Sequence, residues 1–100
     1  MSTHRLNRVN NHNGLHLLLS RSRGANSRKK ILKTLLLGTC NCNQITTKLG
    51  LNWRTTYHHL QLLEKANLIK SINFGQRKFY KLTQKGEVIA QQNAKNHNVI

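Results

Sequence analysis

From Ser27 onward, apolar residues recur in blocks whose period changes along the chain. Ile31, Leu32, Leu35 and Leu36 fall at the separations that put side chains on one face of a helix. Ser27 stands ahead of them as an N-cap and Gly38 behind them as a stop. Asn41 can cap a short second helix in which Ile45 and Leu49 lie four apart, ended by Gly50. Asn52 caps a third, spanning 53–66, with Leu51 just ahead of it as half of a hydrophobic staple. Asn67, tolerant of left-handed backbone, closes it. The period then shortens to two. LIKSIN and KFYKL read as strands flanking the turn FGQR, a hairpin of 69–82 with Tyr80 and Leu82 on one face and Phe79 on the other. Thr83 caps a last helix whose main apolar residues are Val88 and Ile89. The expected fold is α+β and mainly helical: three helices, a β-hairpin and a C-terminal helix.

Outside these blocks the pattern fades. Residues 1–26 lack sustained periodicity and read as a flexible basic arm, with Leu15–Leu19 as a short apolar piece able to dock on the domain. Such an arm either follows the backbone of a polyanion or is a tail with no specific role. The domain proper is then 27–92, and 93–100 is a polar tail.

Charge changes the picture most. Lys and Arg total 17 against 2 acids, a formal net charge of +15. Both acids, Glu64 and Glu87, are glutamates. This much uncompensated charge repels itself in the folded state unless an anionic partner is present, and nucleic acid is the polyanion at hand. No apolar run approaches the roughly 20 residues of a membrane span, and the N-terminus is too polar for a secretory signal. A cytoplasmic, nucleoid-associated protein without a membrane partner is expected. Two glutamates far apart do not build a paired-carboxylate site. No nucleophile–base pair and no phosphate-binding glycine loop stands out, so neither an enzyme nor a cofactor is expected.

Helices two and three are joined by Gly50-Leu51-Asn52, the short glycine-containing turn of a helix-turn-helix. On the third helix Thr56, His59, Leu60 and Leu63 form an inward stripe, with His59 as a half-buried core histidine. Arg54, Tyr57, His58, Gln61 and Lys65 form the opposite one. That face carries donors, acceptors and rings, which suits the major groove of duplex DNA. Trp53 either lies along sugar-phosphate or covers the gap between helices two and three.

NQITTKLGLNWRTTYHHLQLLEKANLIK, the hairpin after it, KLTQKG, and the lead-in RSRGANSRKKIL together resemble the winged helix-turn-helix of ArsR-type transcriptional regulators, in particular small archaeal members. The likeness runs from about Ser20 to Ile89. It implies a sequence-specific regulator of transcription on double-stranded DNA, with helix three reading bases and the hairpin wing on the flanking backbone. By position it gives base readout to Arg54, Thr55, Tyr57 and His58, to which the outward face adds Gln61. Wing contacts fall to Gln76, Arg77 and Lys78, and the backbone is also met by Trp53 and Lys65. A homodimer is implied as well; no small-molecule effector is identifiable.

Arg28, Lys29 and Lys30 fall in the first turn of the predicted helix one, where the macrodipole disfavours cations by about 0.3–1 kcal/mol each. A phosphate there would reverse the sign, so these three are further candidates for backbone contact. Cys40 and Cys42 resemble the family's Cys-x-Cys metal box but lie one residue out of step with it. Two thiolates supply half of a four-coordinate zinc site, and the C-terminal segment offers a lone His97. The expectation is no metal and a pair of small semi-buried thiols. Two rival functions share this fold: a sequence-indifferent architectural protein of the nucleoid, for which the charge argues, and an RNA- or ribosome-binding winged-helix module.

Overall fold

The computed structural model describes residues 15–99, with the backbone alone for residue 21 and for residues 94–99. A π-helical turn, Leu17–Arg21, leads into α1 (Ala25–Leu36), then β1 (Cys40–Asn41), α2 (Cys42–Leu49), α3 (Trp53–Lys65), β2 (Ile69–Phe74), β3 (Arg77–Leu82) and α4 (Gln84–Val99). The strands form one antiparallel sheet in the order β1-β3-β2.

Local chemistry sets most of these boundaries. The Asn41 side chain accepts from Gln44 N at 2.7 Å, and Gln44 Oε1 returns the bond to Asn41 N at 2.8 Å, a full capping box. Asn52 Oδ1 accepts from Thr55 N at 2.8 Å and starts α3. Asn67, at φ 64°, turns the chain from α3 into the wing. The Thr83 hydroxyl accepts from Gly86 N at 3.0 Å and opens α4. Gly86 has no alternative: a Cβ there would overlap the Leu68 carbonyl, because α4 starts hard against the strand.

Four helices and the sheet close over one core. Ile31, Leu32, Ile45, Leu60, Leu63 and Leu68 have lost all solvent contact, and Ile69 and Tyr80 nearly all. The inward stripe of α3, Thr56, His59, Leu60 and Leu63, is buried as its spacing required. Inside the helix Thr56 returns its hydroxyl to Asn52 O at 3.0 Å.

Three expectations are corrected. The arm was drawn to residue 26. Residues 1–14 lie outside the described residues, but from Leu15 the chain is helical and buries Leu19 in the core. Helix α1 begins at Ala25, behind Gly24 at φ 84°, so Ser27 lies within it and is not its cap. The polar tail from residue 93 is helix through Val99.

A fourth correction concerns Arg28. With α1 starting earlier, Lys29 and Lys30 lie beyond the first turn and Arg28 closes it, so the macrodipole penalty on the two lysines largely lapses. Arg28 is only 3% exposed, so it cannot be a phosphate contact. Its Nε donates to Leu18 O at 2.7 Å. One terminal nitrogen donates to His59 Nδ1 at 3.1 Å; the other donates to the Ser22 hydroxyl and to Arg23 O. A guanidinium carries five N–H donors in a planar fork, and this one ties the end of the π-helical turn to α1 and α3. Gly24 is required beside it, since a Cβ would come within 2.6 Å of His59 Cε1.

Arg28→Ala strips partners from buried acceptors and is expected to cost about 2–4 kcal/mol in urea unfolding. Lys29→Ala, on the adjoining half-buried position, should stay within about 0.5 kcal/mol of the parent.

Candidate nucleic-acid interface

Helix α3 turns its polar stripe outward because its core stripe is anchored. Arg54, His58, Gln61 and Lys65 are exposed along one line of the helix, opposite the buried residues. Thr55 is half-buried at the edge of that line, its N–H held by Asn52. The N-terminal end of the stripe stands at the open end of the helix, as docking of a helix end requires.

Tyr57 departs from its expected place. In an ideal helix it sits roughly 70° around from the centre of the polar stripe. Its ring stacks on Trp53, with centroids 5.0 Å apart and planes within 7°, and it packs half-buried against the core. It supports the Trp53 ring and is turned away from the exposed line. Trp53 itself remains 51% exposed. Of the two places read for that ring, the structure bears on the gap between α2 and α3. It borders the gap to α2, lying beside Asn41, Cys42 and Asn43, while much of it faces solvent.

The wing brings a second set of donors to the same side. Phe74 pairs with Arg77 across the two-residue turn of Gly75 and Gln76. Gln76, Arg77 and Lys78 are all exposed, and the Lys78 ammonium lies 5.7 Å from the Tyr80 ring centroid. Between wing and α3 is a cleft of ≈ 380 Å³ reaching Arg77, Lys78, Trp53, Tyr57 and Tyr80. Of the basic trio on α1, Lys30 is exposed, Lys29 half-buried and Arg28 interior. The structure thus groups Trp53 and Tyr57 of α3 with the wing residues Arg77 and Lys78, and it removes Arg28. Asn41, Asn43 and Tyr80 join the cleft without any signal in the local sequence beyond the capping role of Asn41.

Burial explains the protonation states. His59 is held below the usual imidazole range, first by desolvation, then by the charges of Arg28 and His58. A neutral ring whose Nδ1 accepts from a guanidinium carries its proton on Nε2. Desolvation also lowers the Arg28 pKa from its high ordinary value. Burial pushes the Cys42 thiol up, against a weaker opposing pull from Thr46. Cys40 lies half-buried opposite Tyr80 in the sheet. Among the described residues no three His, Cys, Asp or Glu side chains come together as metal ligands. The His97 side chain lies outside the described residues. Tyr80 is pushed up to about 12 by desolvation, then by Glu64, Tyr57 and Cys42, so its phenol stays neutral. Among the described residues no helix is long and apolar enough to cross a membrane.

Comparison with known proteins agrees with this geometry. A family model described as winged helix-turn-helix matches residues 28–100. A search of curated protein sequences finds no match. Among solved structures, the homodimeric winged helix-turn-helix DNA-binding domain Mb0332 from Mycobacterium bovis, described as a possible ArsR-family transcriptional regulator, is 25% identical. It superimposes with a TM-score of 0.74 over 95% of this chain and 82% of that one. ZitR from Lactococcus lactis in complex with DNA is 26% identical, with a TM-score of 0.65 over 71% of this chain and 51% of that one. An apo double mutant of ZitR shares the fold at 21% identity, with a TM-score of 0.72 over 93% of this chain and 72% of that one.

The depressed His59 pKa gives stability a definite pH dependence. On acidification the unfolded chain protonates His59 near its ordinary value, about 6.5, before the folded chain does. Stability is therefore full above that value and falls as pH drops through the lower, folded pKa. Urea midpoints should decline from pH 7.5 to 5.5 in the parent. In His59→Asn, whose amide oxygen can accept from Arg28 without titrating, most of that decline should vanish.

Proposed function

The chain belongs to the winged helix-turn-helix family, and we propose that it is a sequence-specific, double-stranded-DNA-binding regulator of transcription. One observation carries the reading: the exposed line Arg54–His58–Gln61–Lys65 stands directly opposite the buried stripe of α3, on a protein of net charge +15. A helix so divided offers donors and acceptors to base edges while its other side holds it rigid. Arg54 presents the bidentate fork suited to guanine, and His58 and Gln61 continue along the groove. Thr55 meets the edge of the same surface. Trp53, Lys65, Gln76, Arg77, Lys78 and the α1 lysines Lys29 and Lys30 supply phosphate contacts that fix register and orientation.

Two further elements rest on relatives. The Mb0332 domain is homodimeric, and a two-fold assembly here would place two α3 helices on successive half-sites of one duplex face. ZitR has been captured on DNA, which supports a duplex as the partner and a non-enzymatic role exercised by occupancy.

The test is a titration against cognate, random and RNA duplexes at several salt concentrations. With about six to ten phosphate contacts, affinity should fall about 10³–10⁵-fold between 50 and 200 mM salt on any duplex. A regulator keeps a large cognate-over-random ratio as salt rises. Near-equal affinities would favour the architectural function, and a preference for RNA would overturn the DNA assignment.

Arg54→Ala should cost about 1–3 kcal/mol on the cognate site and little on random DNA. Lys78→Ala should weaken every duplex alike and shallow the salt slope by about one unit. Equal losses from Arg54→Ala on both duplexes would reduce Arg54 to a phosphate contact.

A further inference from the structure

We propose that the cleft between the wing and the start of α3 is a binding site for a small planar aromatic anion of the nucleoside-monophosphate class. This goes beyond the DNA-binding function and does not depend on it.

The site is built from three kinds of surface. Trp53 and Tyr57 stack in parallel at one wall, leaving the half-exposed indole as a platform for a further ring. Wing residues Arg77 and Lys78 bring two cations to the lining of the same cleft. Behind them the floor is closed by Cys42 and Tyr80, both buried and both held in their neutral forms. Asn41 spends its side-chain oxygen on the α2 cap and keeps its NH2 to donate. The one carboxylate near this flank, Glu64, accepts from the Ser71 hydroxyl at 3.2 Å and is not part of the lining.

Size and charge select the occupant. At ≈ 380 Å³ the cleft is near the lower end of the volumes that hold small ligands, enough for one base with its sugar and phosphate. Its lining has cations and no acid, so a neutral ring gains stacking alone, and a bare phosphate gains charge alone. A nucleoside monophosphate gains both. A base paired within a duplex keeps its faces covered by its neighbours and cannot use the platform. The ligand is therefore a free nucleotide, or an unpaired nucleotide of a single strand carrying the same chemistry.

The chain has one tryptophan, so Trp53 emission reports on the site directly and without DNA present. The probe is adenosine 5′-monophosphate, titrated into the intact chain in about 0.3 M salt to screen loose electrostatic binding. Saturable quenching is expected. Adenosine and ribose 5-phosphate should each bind about tenfold or more weaker than the monophosphate, since each lacks one of the two contacts. In the double variant Arg77→Ala/Lys78→Ala, both exposed wing positions, AMP should bind about tenfold or more weaker. The emission spectrum without ligand should be unchanged. Quenching that fails to saturate by about 10 mM AMP, beyond the millimolar end of the affinity scale, overturns the proposal. So does displacement of AMP by ribose 5-phosphate at equal concentration, because the ring would then contribute nothing. A short single-stranded oligonucleotide separates the two sources. Half-saturation at a lower nucleotide concentration than AMP identifies the unpaired polymer as ligand, and at an equal or higher one the free nucleotide. Failure of the duplex titrations would leave these measurements untouched.

Discussion

A guanidinium without a carboxylate lies where the N-terminal helical turn, α1 and α3 meet. Arg28 is satisfied by neutral acceptors alone: two carbonyl oxygens, a hydroxyl and the Nδ1 of His59. Burying an ion is tolerable only when its donors are met, and here the fork meets four acceptors. The bond to His59 fixes more than a tautomer. His58 and His59 are neighbours about 100° apart around the helix, so the bond that holds the His59 ring inward also keeps His58 on the outward side. The interior bond and the outward display of His58 are thus one geometric fact.

The scarcity of acids shapes both the inside and the outside. With 2 acids in the chain, an interior cation had no carboxylate to recruit, and carbonyls and an imidazole took that part. On the surface the same scarcity leaves the lysines and arginines facing solvent and one another. Folding then works against self-repulsion, which any bound anion relieves. Binding to the folded state alone stabilises it by mass action, so a duplex partner would be a stabiliser of the fold as well as its target.

What was legible in the sequence is what local chemistry decides. Asn41, Asn52, Thr83, Gly50 and Asn67 marked the ends of elements correctly because caps and left-handed turns act within three or four residues. The buried stripe of α3 was legible because a helix repeats. The direction of Arg28 was not, since its acceptors come from a segment with no apolar period and from a histidine 31 positions away. The start of α1 was misplaced for a related reason. Gly24 offers no side-chain cap, and the start of the helix is held instead by the bonds that Arg28 donates to Leu18 O and His59 Nδ1. Strand β1 is two residues long and exists only through pairing with Phe79 and Tyr80. As for the site, the exposed stripe and the wing cations could be read, whereas the cleft could not, because it forms from three elements distant in sequence.

Tyr57 shows how finely α3 is divided. Around an ideal helix the buried residues Thr56, His59, Leu60 and Leu63 centre about 180° from Arg54, His58, Gln61 and Lys65. Trp53, Tyr57 and Glu64 fill one flank between them. A helix with two faces would leave that flank to solvent; the wing covers part of it instead, with Ser71 bonded to Glu64 and Lys78 beside Tyr80, while Trp53 stays half-exposed. The proposed base-reading and ring-stacking surfaces would therefore share a helix, and a duplex and a cleft ligand would draw on the same wing cations. Two anions competing for Arg77 and Lys78 cannot bind independently. On these two proposals, occupancy of the cleft would remove from a duplex the contacts that position it, which makes the expected coupling between the two sites negative in sign.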